Sequence, residues 1–286
     1  MIGIIGGTGL GEALGAFGKS ETHDLETPFG RPSAPIVTAT IDGVPVALLA
    51  RHGEGHLLPP SRVPYRANIF ALKTLGVTHL LASGAVGSLR EELKPRDLVV
   101  PDQLIDRTFR RAGTFYQELA VHVEFAAPFC PQLRRALLAS GRARDGGTYL
   151  CMEGPQFSTR AESELHRGWG ADLVGMTALP EAKLAREAEI CYALVALVTD
   201  YDCWRPRREQ VDQLRLLEEI IANLRAATEG ALALVRAALP ESHRLRESQC
   251  PCRSALALAI WSDQTRIPAP ERERLAPLIG RYLTSR

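Results

Sequence analysis

Residues 173–204 read LVGMTALPEAKLAREAEICYALVALVTDYDCW, which has the form strand, polar turn, helix, strand. The apolar run 171–174 opens into Gly175-Met176-Thr177. Pro180 suits the first turn of a helix, and Glu181 adds the negative charge that a helix N-terminus favours. Along that helix Leu184, Ala185 and Ala188 recur at core spacing, which leaves Lys183, Arg186, Glu187 and Glu189 mostly outside. A buried strand over 190–198 then stops at Asp200-Tyr201-Asp202. Carboxylates just past the C-terminal end of a buried strand lie where an open α/β sheet places its ligand chemistry. Taken alone, the same pair serves equally well as a turn.

At 286 residues, 45% hydrophobic and 23% charged, the chain can bury one full core with room for an appendage. A net charge of +1 gives no argument for nucleic acid or an anionic membrane as partner. The start, MIGIIGGTGLG, lacks a basic leader, and no stretch approaches the roughly 18 apolar residues of a membrane span. A cytoplasmic enzyme acting on small molecules is expected. The six cysteines (130, 151, 191, 203, 250, 252) are too scattered for a secreted scaffold and include no C-x-x-C pair. No His/Cys/Asp cluster has metal-ligand spacing, so no metal is expected.

Working outward, residues 2–5 read as a short buried strand that enters Gly6-Gly7-Thr8-Gly9-Leu10-Gly11, whose backbone can approach an anion closely. The dinucleotide fingerprint fails at Glu12, and no P-loop pattern occurs. Two apolar runs, 36–41 and 44–50, flank Asp42-Gly43, a strong hairpin signal. The second ends in Arg51-His52, and the planar fork of Arg51 suits phosphate. A helix over 65–75 leads to a strand over 77–82 and the turn Ser83-Gly84-Ala85-Val86-Gly87-Ser88. Three strands thus end in small-residue loops with oxyanion-compatible groups, and their convergence is the signal.

A short strand over 98–101 precedes an irregular excursion, 102–127, that holds His122. A helix over 131–143, a strand over 148–152 and a helix capped by Ser158 or Thr159 follow. Residues 209–239 form a long amphipathic helix with Leu214, Leu217, Ile221, Leu224 and Leu232 inward, stopped by Pro240. Two short helices, 252–261 and 269–283, complete a C-terminal extension, 241–286, beyond a catalytic domain of 1–240.

The motifs GGTGLG, RHGEGH with Asn68 following, GSLRE, EGPQFSTRAE, GMTALPEAKLAREA and TDYDCW, in that order, resemble the S-methyl-5'-thioadenosine phosphorylases of the trimeric purine nucleoside phosphorylase family. The resemblance covers about residues 1–240. It implies a single α/β domain with a twisted mixed sheet surrounded by helices, a homotrimer or dimer of trimers, and inorganic phosphate as co-substrate with no cofactor. It also implies phosphorolysis of methylthioadenosine to adenine and 5-methylthioribose 1-phosphate. Position by position, it implies that phosphate is bound by Thr8, Arg51, His52, the Gly84-Ala85 backbone and Thr177. The ribose falls near Met176, the adenine edge on Asp200 and Asp202, and Phe157 against the ring. His122 reaches a neighbouring subunit's 5' pocket.

Two departures stand out. Members of the family carry threonine where this chain has Gly84, and valine lining the methylthio pocket where it has Gln213, with Leu216 one turn on. The second keeps a broader purine nucleoside phosphorylase, acting on adenosine or inosine, as the alternative. Some archaeal members carry a C-terminal C-x-C together with structural disulfides. On that resemblance Cys250 or Cys252 pins the extension to a core cysteine, with Cys203 the natural candidate; read by themselves, the two serve equally well as incidental surface thiols kept reduced in the cytoplasm.

In such a reaction the bound phosphate attacks C1' of an oxocarbenium-like sugar while an acid protonates N7 of the departing purine. Asp200 is the candidate acid, since burial and a neighbouring carboxylate both raise a carboxyl pKa. A carboxyl group can also accept from an exocyclic N6 amine while donating to N7, which favours adenine over a 6-oxopurine.

Overall fold

The computed structural model describes residues 1–6, 20–205 and 213–283. Eleven strands among the described residues form one mixed sheet. They are β1 (Ile2–Gly6), β2 (Ser20–His23), β3 (Ile36–Ile41), β4 (Val44–Ala50), β5 (His79–Ser88), β6 (Leu98–Val100), β7 (Gln103–Arg107), β8 (Arg144–Asp145), β9 (Thr148–Met152), β10 (Leu173–Gly175) and β11 (Cys191–Asp200). The main path runs β2-β3-β4-β1-β5-β10-β9-β7, and β11 pairs with β5 and β6. Strands β4, β1, β5 and β11 are mutually parallel. Their C-terminal ends therefore share one edge of the sheet, as the convergent loops required.

The apolar run of β11 is explained by burial on both faces. Tyr192, Leu194, Ala196 and Val198 enter one core with α1 (Tyr65–Thr74) and α4 (Ala178–Glu187). Cys191, Ala193, Val195 and Leu197 enter the other with α2 (Pro131–Leu138) and α5 (Gln213–Arg244). Helices on both faces of a largely parallel centre leave that strand no polar side. The hairpin β3–β4 turns at Asp42-Gly43, both at positive φ, as such two-residue loops require. Thr159 caps α3 (Arg160–Gly168) in a reciprocal capping box with Glu162.

Several expectations are corrected. Residues 83–88 are not a turn: β5 runs on to Ser88 because β11 supports it as far as Gly87. The excursion 102–127 contains β7, paired in parallel with β9. Arg186, Glu187 and Glu189 are buried, because α4 is enclosed by the excursion and the C-terminal extension as well as by the sheet. Arg186 donates to the carbonyls of Glu124 and Ala127, Glu187 accepts from the Phe115 N–H, and Glu189 accepts from the Leu256 N–H.

Pro240 does not stop α5, which continues to Arg244 with Leu239 and Ser242 buried and the Ser242 hydroxyl on the Ala238 carbonyl. The inner stripe of that helix is Ala227, Ala231, Leu234, Val235 and Ala238. Leu214, Leu217 and Ile221 stay exposed instead. In the extension the expected pair of helices breaks into short pieces, α6 (Ala269–Arg274), α7 (Ala276–Ile279) and 3-10 turns that include Pro251–Ser254. A proline begins each of α6, α7 and Pro251–Ser254, and Leu256, Ile267, Leu275 and Ile279 pack into the same core as α4.

Candidate active site

Strand β5 builds the site. One of its edges pairs with β1 through Ala82 and with β10 from Gly87, so among the described residues those between have no strand neighbour on that side. A cavity of about 290 Å³ opens there, lined by Arg51, His52, Gly84–Gly87, Met176, Thr177, Asp200 and Asp202, with Phe157 among the loop residues. The Ser83 carbonyl accepts from Arg51 on this edge at 2.7 Å. The two-residue period of a strand sends the N–H of Ala85 the same way, and Ala85 is exposed.

Two groups of side chains stand along the strand. A Cβ at Gly84 would lie 3.2 Å from Thr177 Oγ1, whereas one at Gly87 would lie 3.2 Å from Asp200 Oδ1 and from Asp202 Cβ. Gly84 and Gly87 are three residues, about 10 Å, apart along the strand. The hydroxyl of Thr177 and the carboxylates thus occupy different ends of one cavity.

The carboxylate end depends on a β-bulge. In β11 the register with β5 shifts between Val198, opposite Val86, and Asp200, opposite Gly87. The extra residue, Thr199, re-aims the end of the strand. Its hydroxyl donates to Asp200 Oδ2 at 2.7 Å, and the Asp202 N–H donates to Asp200 Oδ1 at 2.7 Å. Burial pushes the Asp200 carboxyl above its ordinary range, opposed by these two hydrogen bonds and reinforced by the Asp202 charge. Asp202 adopts φ 51°, and its Oδ2 is buried with no hydrogen-bond partner among the described residues.

At the other end Arg51 is fully buried. Its Nε and Nη2 donate to the two carboxylate oxygens of Glu181 at 2.7 and 2.8 Å, and Tyr192 adds its hydroxyl to Glu181 at 2.8 Å. Burial opposes the Arg51 charge, and Glu181 more than restores it. The fork expected to face phosphate is therefore occupied by Glu181, leaving the outer Nη protons at the cavity. In the sequence Glu181 is no more than a helix-start charge; nothing local marks it as the partner of a residue 130 positions away. His52 donates from Nδ1 to the Leu58 carbonyl at 2.7 Å, and burial pushes its pKa down to about 4, so the ring is neutral with Nε2 as acceptor.

Phe157 lies at the cavity but is 85% exposed. His122 is not brought to this cavity: its ring lies tilted against Trp261, with centroids 4.6 Å apart. Thr8 and the side chains of Gln213 and Leu216 lie outside the described residues. Arg111 was missed. It donates to the carbonyls of Met176, Leu179 and Glu153 and to the Glu153 carboxylate, and so ties the loops behind Met176 together.

Residues 1–240 match the Phosphorylase superfamily. The chain belongs to that family. Within the phosphorylases it is 48% identical to the S-methyl-5'-thioadenosine phosphorylase of Geobacter sulfurreducens, over 99% of each chain. Among solved structures it is similar to a methylthioadenosine phosphorylase sourced from an antarctic soil metagenomic library, with TM-score 0.88 and 44% identity over 97% of this chain and 98% of that one. The methylthioadenosine phosphorylase from Schistosoma mansoni in complex with tubercidin matches with TM-score 0.79 and 34% identity, over 91% and 98%.

The cysteine expectations also change. Cys203 is not near the extension; its Sγ lies 3.3 Å from the Ser158 carbonyl at the cavity loop. Cys250 and Cys252 instead meet Cys130 and Cys191, so the chain does gather a set of metal-ligating side chains that the spacing had not disclosed.

Proposed function

We propose that this protein cleaves S-methyl-5'-thioadenosine with inorganic phosphate, yielding adenine and 5-methylthioribose 1-phosphate, and so serves purine and methionine salvage. The observation that carries the reading is the division of one cavity into a hydroxyl- and amide-bearing end at Gly84-Ala85 and Thr177 and a carboxyl end at Asp200 and Asp202. With the two ends on one cavity, a phosphate at the first can lie in line with a nucleoside whose base sits at the second.

In this mechanism phosphate is held by the Ala85 N–H, the Thr177 hydroxyl, the outer Arg51 protons and Thr8, while neutral His52 accepts from a protonated phosphate oxygen. Its charge faces the developing cation at C1', over Met176. Asp200 in its protonated form donates to purine N7 as the bond breaks, and the Asp202 oxygen that lacks a partner accepts from the exocyclic amine. Phe157 covers the ring. No cofactor takes part.

We assign catalysis to a domain of 1–240 and regard 241–286 as a helical extension. A homotrimer, or a dimer of trimers, is favoured by the exposed Leu258 and Trp261 beside His122 and by Phe109 and Phe157, apolar groups that a neighbouring subunit would cover. His122 then serves a neighbour's 5' pocket, and Leu216 the methylthio group. A cytoplasmic setting, where phosphate and nucleosides meet, suits the reaction. Phosphate-dependent adenine release is measured from methylthioadenosine, adenosine and inosine at equal concentration. Methylthioadenosine should lead, and an equal or higher rate on inosine would favour the broader nucleoside phosphorylase.

A further inference from the structure

Four sulfurs meet on the face of the sheet that α2 and α5 cover. Cys130 is the residue before α2, Cys191 opens β11, and Cys250 and Cys252 flank Pro251 in the extension. Their Sγ atoms all lie within 4.8 Å of one another, and all four residues are buried. Cys130 Sγ and Cys250 Sγ are 3.6 Å apart. A tetrahedron of thiolates around zinc, with Zn–S of about 2.3 Å, has S···S edges of about 3.8 Å. A disulfide would need about 2.05 Å.

We infer that Cys130, Cys191, Cys250 and Cys252 form a structural tetrathiolate site for one zinc ion, which fastens the C-terminal extension to the catalytic sheet. Packing alone explains a single buried cysteine, which behaves as a small apolar residue. It does not explain why three separate segments each point their sulfur at one spot. Zinc entry displaces four thiol protons and leaves the centre with two net negative charges, which need compensation once buried.

The surroundings supply it. Arg246, Arg253 and the Met1 amino group bear electrostatically on the His79 ring together with Cys250. His79 is the register neighbour of Cys191, and its Nε2 is buried with no hydrogen-bond partner among the described residues, a donor of the kind that orients a metal-bound thiolate. Cys130 precedes Pro131 at a helix start, where a thiolate is stabilised. Cys250 and Cys252 line clefts at the surface, which gives an ion a route in, while Cys130 and Cys191 are wholly buried. A C-x-C pair is too close to bind a metal by itself. It becomes competent because Cys130 and Cys191 complete the tetrahedron from the sheet side.

Full-length protein, purified under reducing conditions without a metal-binding tag, is analysed for zinc and iron by plasma mass spectrometry. One zinc per chain is expected, and zinc-stripped protein should take up Co2+ with the visible absorption of a tetrahedral thiolate centre. The Cys250→Ser, Cys252→Ser variant should lose the zinc and melt roughly 5 to 10 °C lower, whereas Cys203→Ser should keep both zinc and melting midpoint. If the double variant does not fold, the zinc content and cobalt spectrum of the parent protein still decide. Six titratable thiols in the unfolded protein with no metal, a mass four hydrogens low from two disulfides, or one iron in place of zinc would each overturn the assignment.

Discussion

Arg51 with Glu181 is a buried charged pair and Asp200 with Asp202 a half-buried one on the same cavity, and they are built to opposite ends. The first is closed. Every oxygen of Glu181 has a donor, Tyr192 included, and the pair is wholly excluded from solvent. The second is left open, with two carboxylates of like sign, a raised Asp200 and an Asp202 oxygen without a partner. A satisfied opposite-charge pair holds framework in place, whereas an unsatisfied like-charge pair stores the tendency to bind a proton and a ligand amine.

The contrast breaks most visibly at Arg51. Arg51→Ala leaves Glu181 buried and unpaired, and the protein should lose about 3 to 5 kcal/mol of stability in urea denaturation. In whatever fraction folds, the phosphate requirement should rise more than the nucleoside requirement. A variant as stable as the parent would show that Glu181 finds another partner.

Glu187 sharpens the comparison, because this buried carboxyl makes no ion pair among the described residues, only a distant attraction to Lys183, and meets no substrate. Burial pushes its pKa from 4.5 up to about 7, against the Phe115 N–H that it accepts. The folded state therefore binds the proton more tightly than the unfolded chain. Its stabilising contribution is complete below pH 4.5 and is lost as pH rises through about 7, by about 3 kcal/mol in all. Urea midpoints taken across this range should fall with rising pH, and Glu187→Gln should flatten the profile. An unchanged slope in the variant would move the effect elsewhere.

At the open pair, Asp200→Asn should slow adenine release from methylthioadenosine by about 10²-fold, equivalent to about 2.7 kcal/mol, with little change in melting. Because the acid must be protonated, the parent rate should also fall as pH climbs through the raised Asp200 pKa, and that limb should vanish in the variant. Loss of stability in place of rate would make Asp200 framework like Arg51.

The smallest effect is steric. Gly87→Ala puts a Cβ 3.2 Å from Asp200 Oδ1, Asp202 Cβ and Val174 Cγ1. A shift of a few tenths of an ångström in the carboxyl pair should cost roughly tenfold in kcat/KM. The same change at Gly84, crowding only Thr177 Oγ1, should act on the phosphate requirement instead. Identical effects at both glycines would erase the two-ended cavity.

Much of this was legible in the residues themselves. The Asp42-Gly43 hairpin, the Thr159 cap, the strand–helix–strand of 173–200 and the convergence of Arg51, Thr177 and Asp200 follow from signals acting over a few residues, where backbone sterics and side-chain period decide. Tertiary structure decided the rest. It carried β5 through its glycines by pairing with β11, buried the charged side of α4 under the extension, and exposed Leu214, Leu217 and Ile221 on α5 while keeping Leu224 and Leu232 against the core. It also gave Arg51 its partner 130 residues away and brought Cys130 and Cys191 to the C-x-C of the extension. Such pairings depend on which surfaces the topology presses together, and a pattern that is periodic along the chain holds no record of what will cover it.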